Sequence, residues 1–224
     1  DGGMNIGQTL LKVASIDAER RYLGFEPNPL CYFTCKEIVA ANQLRASEIF
    51  PVGLSDRTQL LPLFMDTDYA PGASVLEHFR EDTKRFHQRV NVALFRGDEV
   101  VAIRRERAIA VVKIDVEGAE LEVVRGLHDT ISRARPHIVL EILPVYSLGK
   151  PNGRYRKERQ DALVSALGDL GYRMFLIRER ERRFELLADI PVHGDMSRTN
   201  YLFVHRDVTG EIDLERNPSF RALA

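Results

Sequence analysis

Apolar and polar positions switch between two periods along the chain, and the switches lay out its elements. Ile6, Leu10, Leu11, Val13 and Ala14 recur at helical spacing, which predicts a helix over 5–18. Residues 20–25 read as a short buried strand. Pro29 suits the first turn of a helix capped by Asn28 and running to about residue 42. Residues 48–54 are strand-like, with Pro51 marking a bend or a sheet edge. Residues 57–88 break the pattern. Asp66-Thr67-Asp68-Tyr69 and Pro71-Gly72-Ala73-Ser74 read as loop, and 75–86 as a short amphipathic helix. A strand follows at 90–95. The strongest strand of the chain is 108–115 (AIAVVKID), followed by a helix over 117–133 with Leu121, Val124 and Leu127 on one face. Residues 136–143 are a further buried strand, 144–156 a loop rich in Pro and Gly, and 157–170 a helix ended by Gly171. Strands at 172–177 and 200–205 close the pattern, with an extra one at 184–187.

Strands alternating with helices predict an α/β fold: a parallel, doubly wound sheet with helices on both faces and a hairpin-like return at its end. The 224 residues suit a single domain over 1–224. Within it, 66–90 and 144–156 are the candidate lid or substrate-binding segments. In such sheets ligands sit beyond the carboxyl ends of the strands. The residues ending the predicted strands are Asp1, Glu26, Asp56, Asp115 and Glu141.

The first seven residues, Asp1-Gly2-Gly3-Met4-Asn5-Ile6-Gly7, read as a tight turn entering a helix. Its glycines let the backbone approach a ligand, and the helix start offers free N–H groups to an anion. An acid about twenty residues later, at the tip of the next strand, is the expected partner for ribose hydroxyls. Glu26 stands there. The turn departs from the dinucleotide pattern G-x-G-x-x-G. An acid at Asp1 suits an ammonium-bearing cofactor such as S-adenosylmethionine better than the diphosphate of NAD.

Composition narrows the partners. Apolar residues make up 44% and charged residues 29%, ordinary for a globular protein, and the formal net charge is −1. No global field favours nucleic acid or an anionic membrane. No apolar run reaches membrane-spanning length and no secretory signal is visible, so the expectation is a cytoplasmic protein. Cys31 and Cys35, four apart in a predicted helix, have poor disulfide geometry and are expected as reduced thiols. The chain starts at Asp1 with no room for a strand entering the glycine turn, so it reads as trimmed at its N-terminus.

Four stretches together carry a resemblance: Asp1-Gly-Gly-Met-Asn-Ile-Gly7, Phe25-Glu-Pro-Asn28, Gly53-Leu-Ser-Asp56 and Lys113-Ile-Asp-Val-Glu-Gly-Ala-Glu120. In order and spacing they resemble the FkbM family of S-adenosylmethionine-dependent methyltransferases, over roughly residues 1–177. Gly2 and Met4 depart from the family's usual turn. The resemblance implies a Rossmann-like, mostly parallel, seven-stranded methyltransferase sheet and O-methylation of a hydroxyl on a sugar or small natural product. It places Asp1, Gly3, Asn5 and Gly7 at the methionine end of the cofactor, Glu26 on the ribose and Asp56 near the adenine amino group. Asn28 and Ser55, in the same matching stretches, are counted with the cofactor-binding residues.

A hydroxyl is a poor nucleophile, and a base at its proton contributes roughly 10²–10⁴-fold. The candidates are Asp115, Glu117 and Glu141. Asp115 can also cap the following helix, and Glu117 can serve the helix dipole. Glu141, inside an apolar run, needs a buried partner, and Lys113 is the expected one. His78, His87, His128 and His137 read as structural or solvated. Asp66, Asp68 and Asp115 are the only grouping that suggests Mg²⁺, and no metal site is expected. The basic stretch 150–159 reads as a solvated loop and helix start, or as an entrance rim. Two other functions fit the topology, an NAD-dependent oxidoreductase and a non-catalytic cofactor-binding module. The expected partner is a small-molecule or glycan acceptor, not nucleic acid or membrane.

Overall fold

A computed structural model describes residues 1–67, 72–76, 79 and 88–207. His78, His87 and Asp68 lie outside the described residues, as does much of the segment 66–90.

The strands fall into three hydrogen-bonded sets. β1 (Tyr22–Phe25) pairs in parallel with β2 (Ser47–Phe50). β3 (Gly53–Ser55), β4 (Gln59–Met65) and β5 (Gln88–Arg96) form a second set in the order β3-β5-β4, with β4 antiparallel to β5. The largest set has the order β6-β7-β10-β8-β9. It is built from β6 (Val111–Ile114), β7 (His137–Glu141), β8 (Tyr172–Arg178), β9 (Arg183–Leu187) and β10 (Asn200–His205). Only β6 and β7 are parallel there.

This corrects the expected single, mostly parallel, seven-stranded sheet. The reason lies at the glycine turn. Gly2 bridges Phe25 on one side and Ile114 on the other, both in parallel. Its N–H donates to Lys113 O and its carbonyl accepts from Asp115 N, each at 2.9 Å. Those two residues, Asp1 and Gly2, join the β1 edge to the β6 edge, and two residues are too short to count as a strand. Alongside lies a cavity of about 640 Å³ lined by Tyr22, Leu23, Ile109 and Val111 among others.

Helices cover both faces of β1. On one face α1 (Gln8–Ile16) and α2 (Pro29–Ala41) enclose Met4, Leu10, Tyr22 and Cys35. On the other, Phe25 joins the main core with Leu121 and Val124 of α4 (Glu120–Gly126) and Ile131 of α5 (His128–Ala134). The main core continues through Ile138, Leu140 and Leu176 to Leu163 and Leu167 of the last helix, α6 (Pro151–Asp169). A short helix, α3 (Val101–Arg105), adds Ile103. Truncating the fully buried Leu167 to Ala would cost about 2–5 kcal/mol.

Several boundaries move. Residues 48–54 are two strands in different sets, broken at Pro51-Val52, because proline has no N–H to keep the ladder going. Residues 59–65, to which the pattern gives no element, are β4. Its Pro62 is tolerated because β4 is an edge strand. The helix expected over 117–133 is two helices meeting at Leu127. The last helix starts at Pro151 rather than 157. Its buried face begins with Gly153, Arg156 and Gln160 and turns apolar only at Leu163, so the apolar period showed too late.

Candidate active site

Gly3 and Gly7 have positive φ, +84° and +89°, and a Cβ on Gly3 would stand 1.9 Å from Asp115 O. The turn therefore needs glycine both for its torsion and for contact with the end of β6. Asn5 is left-handed too, φ 49°. Its N–H donates to Glu26 Oε2 at 2.8 Å, and Asn28 N–H donates to Glu26 Oε1 at 2.9 Å. Thus Glu26, 7% exposed, is gripped by backbone donors from both sides. Burial raises its pKa, and those two hydrogen bonds oppose the rise. Asn28 also caps α2, its Oδ1 accepting from Leu30 N at 3.0 Å. The thiols of α2 close the turn from below. Cys35 Sγ donates to Asn5 O at 3.0 Å and Cys31 Sγ to Asn5 Oδ1 at 3.5 Å. Both are free, and burial pushes both up to about 12, so they pack rather than react.

One cleft opens on this turn. Gly3, Asn5, Glu26 and Asn28 line it on one side, Asp115 and Glu117 on the other. Leu63 of β4, Leu94 of β5, Ala73 and Val75 form an apolar wall. The sequence pattern places a strand at 90–95 but does not assign Leu94 to the site, and it gives no element to the run Gln59-Leu-Leu-Pro-Leu-Phe-Met65 that supplies Leu63. The other expected site residues sit elsewhere. Gly7 starts α1. Ser55, buried at the end of β3, donates to Asp56 Oδ1 at 3.4 Å, and Arg57 Nε reaches the same oxygen at 3.2 Å. Asp1 accepts from Tyr22 OH at 2.6 Å through Oδ2. These four, and Glu141, do not line the cleft.

Lys113 does not pair with Glu141 as expected. Its Nζ lies 3.0 Å from Asp115 Oδ2 and 3.8 Å from Asp1 Oδ1, because all three side chains share the β6 side of the turn. Glu141, at the end of β7 and half-buried, neighbours Asp115 and Thr199 instead. Burial, and then the Asp115 charge, hold its pKa above the ordinary carboxylate range. Glu117 is left-handed, φ 55°, and its carbonyl accepts from Ser74 Oγ at 2.8 Å.

Part of the basic stretch 150–159 turns inward, while Lys150, Arg154 and Glu158 stay exposed. Arg156 Nε donates to Phe79 O at 2.7 Å, and its guanidinium lies 4.4 Å from the Phe79 ring centroid. Among the histidines, His137 opens β7 with its pKa lowered by burial, and His128 opens α5 beside Asp129. Among the described residues no group of three or more His, Cys, Asp or Glu is placed to hold a metal. No described helix is long and apolar enough to cross a membrane.

An α/β fold with a glycine turn, a buried acid at the next strand end and a carboxylate opposite is an arrangement that can receive a nucleoside-bearing ligand. Comparison with known proteins makes the class specific. The family model of the methyltransferase FkbM domain matches residues 1–174, and the chain belongs to that family. A curated relative, methyltransferase sdnD of Sordaria araneosa, is 27% identical over 167 residues, covering 63% of this chain and 64% of its own length. The crystal structure of methyltransferase FkbM from Methylobacillus flagellatus KT superposes with a TM-score of 0.55 at 14% identity. It covers 92% of this chain and 42% of that one. The chain thus spans about two fifths to two thirds of these relatives, and the likeness in structure is one of fold.

Proposed function

We propose that the protein transfers the methyl group of S-adenosylmethionine to a hydroxyl of a sugar or small natural product. One observation carries the choice of cofactor. Among the described residues lining the cleft are three acids, Glu26, Asp115 and Glu117, and no lysine or arginine. Such a lining attracts a cofactor bearing sulfonium and ammonium charges and repels the diphosphate of NAD. Family membership supports the same cofactor. Glu26 would hold the ribose hydroxyls, since each of its oxygens keeps a lone pair beyond the backbone bond it accepts.

The bound cofactor would supply an electrophilic methyl group on sulfur. The chain's own residues handle the proton. Asp115 accepts it from the attacking hydroxyl, and the Lys113 ammonium fixes Asp115 Oδ2. Glu141, held above the ordinary range beside it, is the group to which that proton can pass. The reading takes 1–224 as one domain, and the unbridged thiols fit a reducing cytoplasm.

The test is incubation with S-adenosylmethionine carrying a labelled methyl group and a panel of hydroxylated sugars and small natural products, read by mass spectrometry. Label in an acceptor, lost in Asp115→Asn, is expected. Absence of S-adenosylhomocysteine above the protein-free control, with NAD reduced instead, would replace the reading with an oxidoreductase.

A further inference from the structure

The turn that brings Glu117 to the cleft is held from behind. Glu117 and Gly118 are both left-handed, φ 55° and 113°. A left-handed residue other than glycine costs about 1–2 kcal/mol, and such torsions persist where the surroundings fix them. Three side chains do so. Ser74 Oγ donates to Glu117 O. Arg159 Nη2 donates to Gly118 O at 3.0 Å and to Glu122 Oε2. Gly118 N–H donates to Glu120 Oε1 at 2.9 Å. A Cβ on Gly118 would stand 2.5 Å from the Phe79 ring, so the turn is also packed from outside.

Behind it lies a cavity lined by Gly118, Glu120, Leu143, Arg159 and Gln160, with about 20 Å³ open to the centre of a water molecule. About 10–15 Å³ admits one water. Two buried atoms on adjacent α6 residues have no hydrogen-bond partner, the donor Arg159 Nε and the acceptor Gln160 Oε1. Gln160 is 5% exposed, and its Nε2 donates to Leu143 O at 2.8 Å, which fixes the orientation of the amide. A buried polar atom left unpaired costs about 1–3 kcal/mol. Both residues line this water-sized cavity, and one unpaired donor with one unpaired acceptor is the set that a single water satisfies.

We infer that one structural water occupies this cavity, accepting from Arg159 Nε–H and donating to Gln160 Oε1, and that Arg159, fixed by it, is a positioning residue setting the Glu117–Gly118 turn for the reaction. The water itself does not depend on the methyl-transfer reading; the kinetic consequence does. A ligated guanidinium on the rigid α6 would hold the turn's torsion, and hence the direction in which Glu117 enters the cleft.

The test has a structural and a kinetic arm. A crystal structure of the protein at a resolution that shows ordered water is expected to place one water within hydrogen-bond distance of both atoms. In Arg159→Met crystals Glu117 is expected to leave its left-handed torsion. Arg159→Met is expected to lower kcat by about 10²-fold and to raise the Kd for S-adenosylhomocysteine, since Glu117 is one of the acids lining the cleft. Arg159→Lys, which keeps a cation able to reach Gly118 O, is the second variant should the first not fold, and is expected to recover part of kcat. A dry cavity overturns the water. An unchanged turn, or an unchanged kcat in folded Arg159→Met or Arg159→Lys, overturns the positioning role. If the wild type transfers no methyl group to any acceptor, the density and the turn torsion still decide the inference, while the function reading fails on its own.

Discussion

Asn5 N–H donates to Glu26 Oε2 at 2.8 Å, tying the left-handed residue of the glycine turn to the acid that ends β1. The bond, made by the backbone N–H, holds position 5 in this torsion, and asparagine suits the position because Asn visits the left-handed region more readily than residues with larger side chains. Asn5→Gly is therefore expected to keep stability within about 1 kcal/mol, whereas Asn5→Val is expected to lose about 1–3 kcal/mol. Urea unfolding of the two variants checks this. Equal losses in both would mean that the torsion does not matter and that the side-chain contact with Cys31 does.

The Asp115–Glu141 neighbourhood sets a pH dependence. Asp115→Asn is expected to lower kcat by about 10²–10⁴-fold, and Glu141→Gln by less. Burial and the Asp115 charge make Glu141 take up a proton above the ordinary carboxylate range, so wild-type activity falls as pH drops through that raised value. In Glu141→Gln that carboxyl no longer titrates, and the acid limb of the kcat profile moves down. A limb that stays in place would remove Glu141 from the proton path.

Glu120 makes a second, purely thermodynamic prediction. Burial, opposed by the Gly118 N–H and its own backbone N–H, raises its pKa from 4.5 to about 7. Between those values the folded state holds a proton that the unfolded state releases. Stability is therefore lost as pH rises through this window, by up to about 3 kcal/mol, and the full cost is present above pH 7. Glu120→Gln abolishes that slope and can still accept from Gly118 N–H. Its stability relative to wild type is expected to be higher at pH 8 than at pH 5. A difference independent of pH would contradict the buried, protonated state.

Much of this was legible in the sequence because local rules governed it. Asn28 before Pro29 marked a helix start, and Asn28 is the cap of α2. The run to Ile114 marked β6. Glu26 and Asp115 followed from spacing, and they open on one cleft. What stayed hidden depended on distant partners. The apolar wall from Leu63 and Leu94 needs two strands paired across more than twenty residues. Arg156 and Arg159 read as solvated because their partners, Phe79 O and Gly118 O, lie some forty to eighty residues away. Lys113 was assigned the wrong acid because a strand pattern puts it on one face with Asp115, two residues on, but does not say whether it pairs along the strand or with Glu141 on the neighbouring one.

The most direct measurement is calorimetric titration of the protein and of Glu26→Gln against S-adenosylhomocysteine and, separately, NAD. Binding of S-adenosylhomocysteine alone is expected, weakened about 10- to 100-fold in Glu26→Gln as a charge-assisted hydrogen bond is lost. Binding of NAD in its place, or equal affinity in the folded Glu26→Gln variant, would contradict the assignment of this cleft.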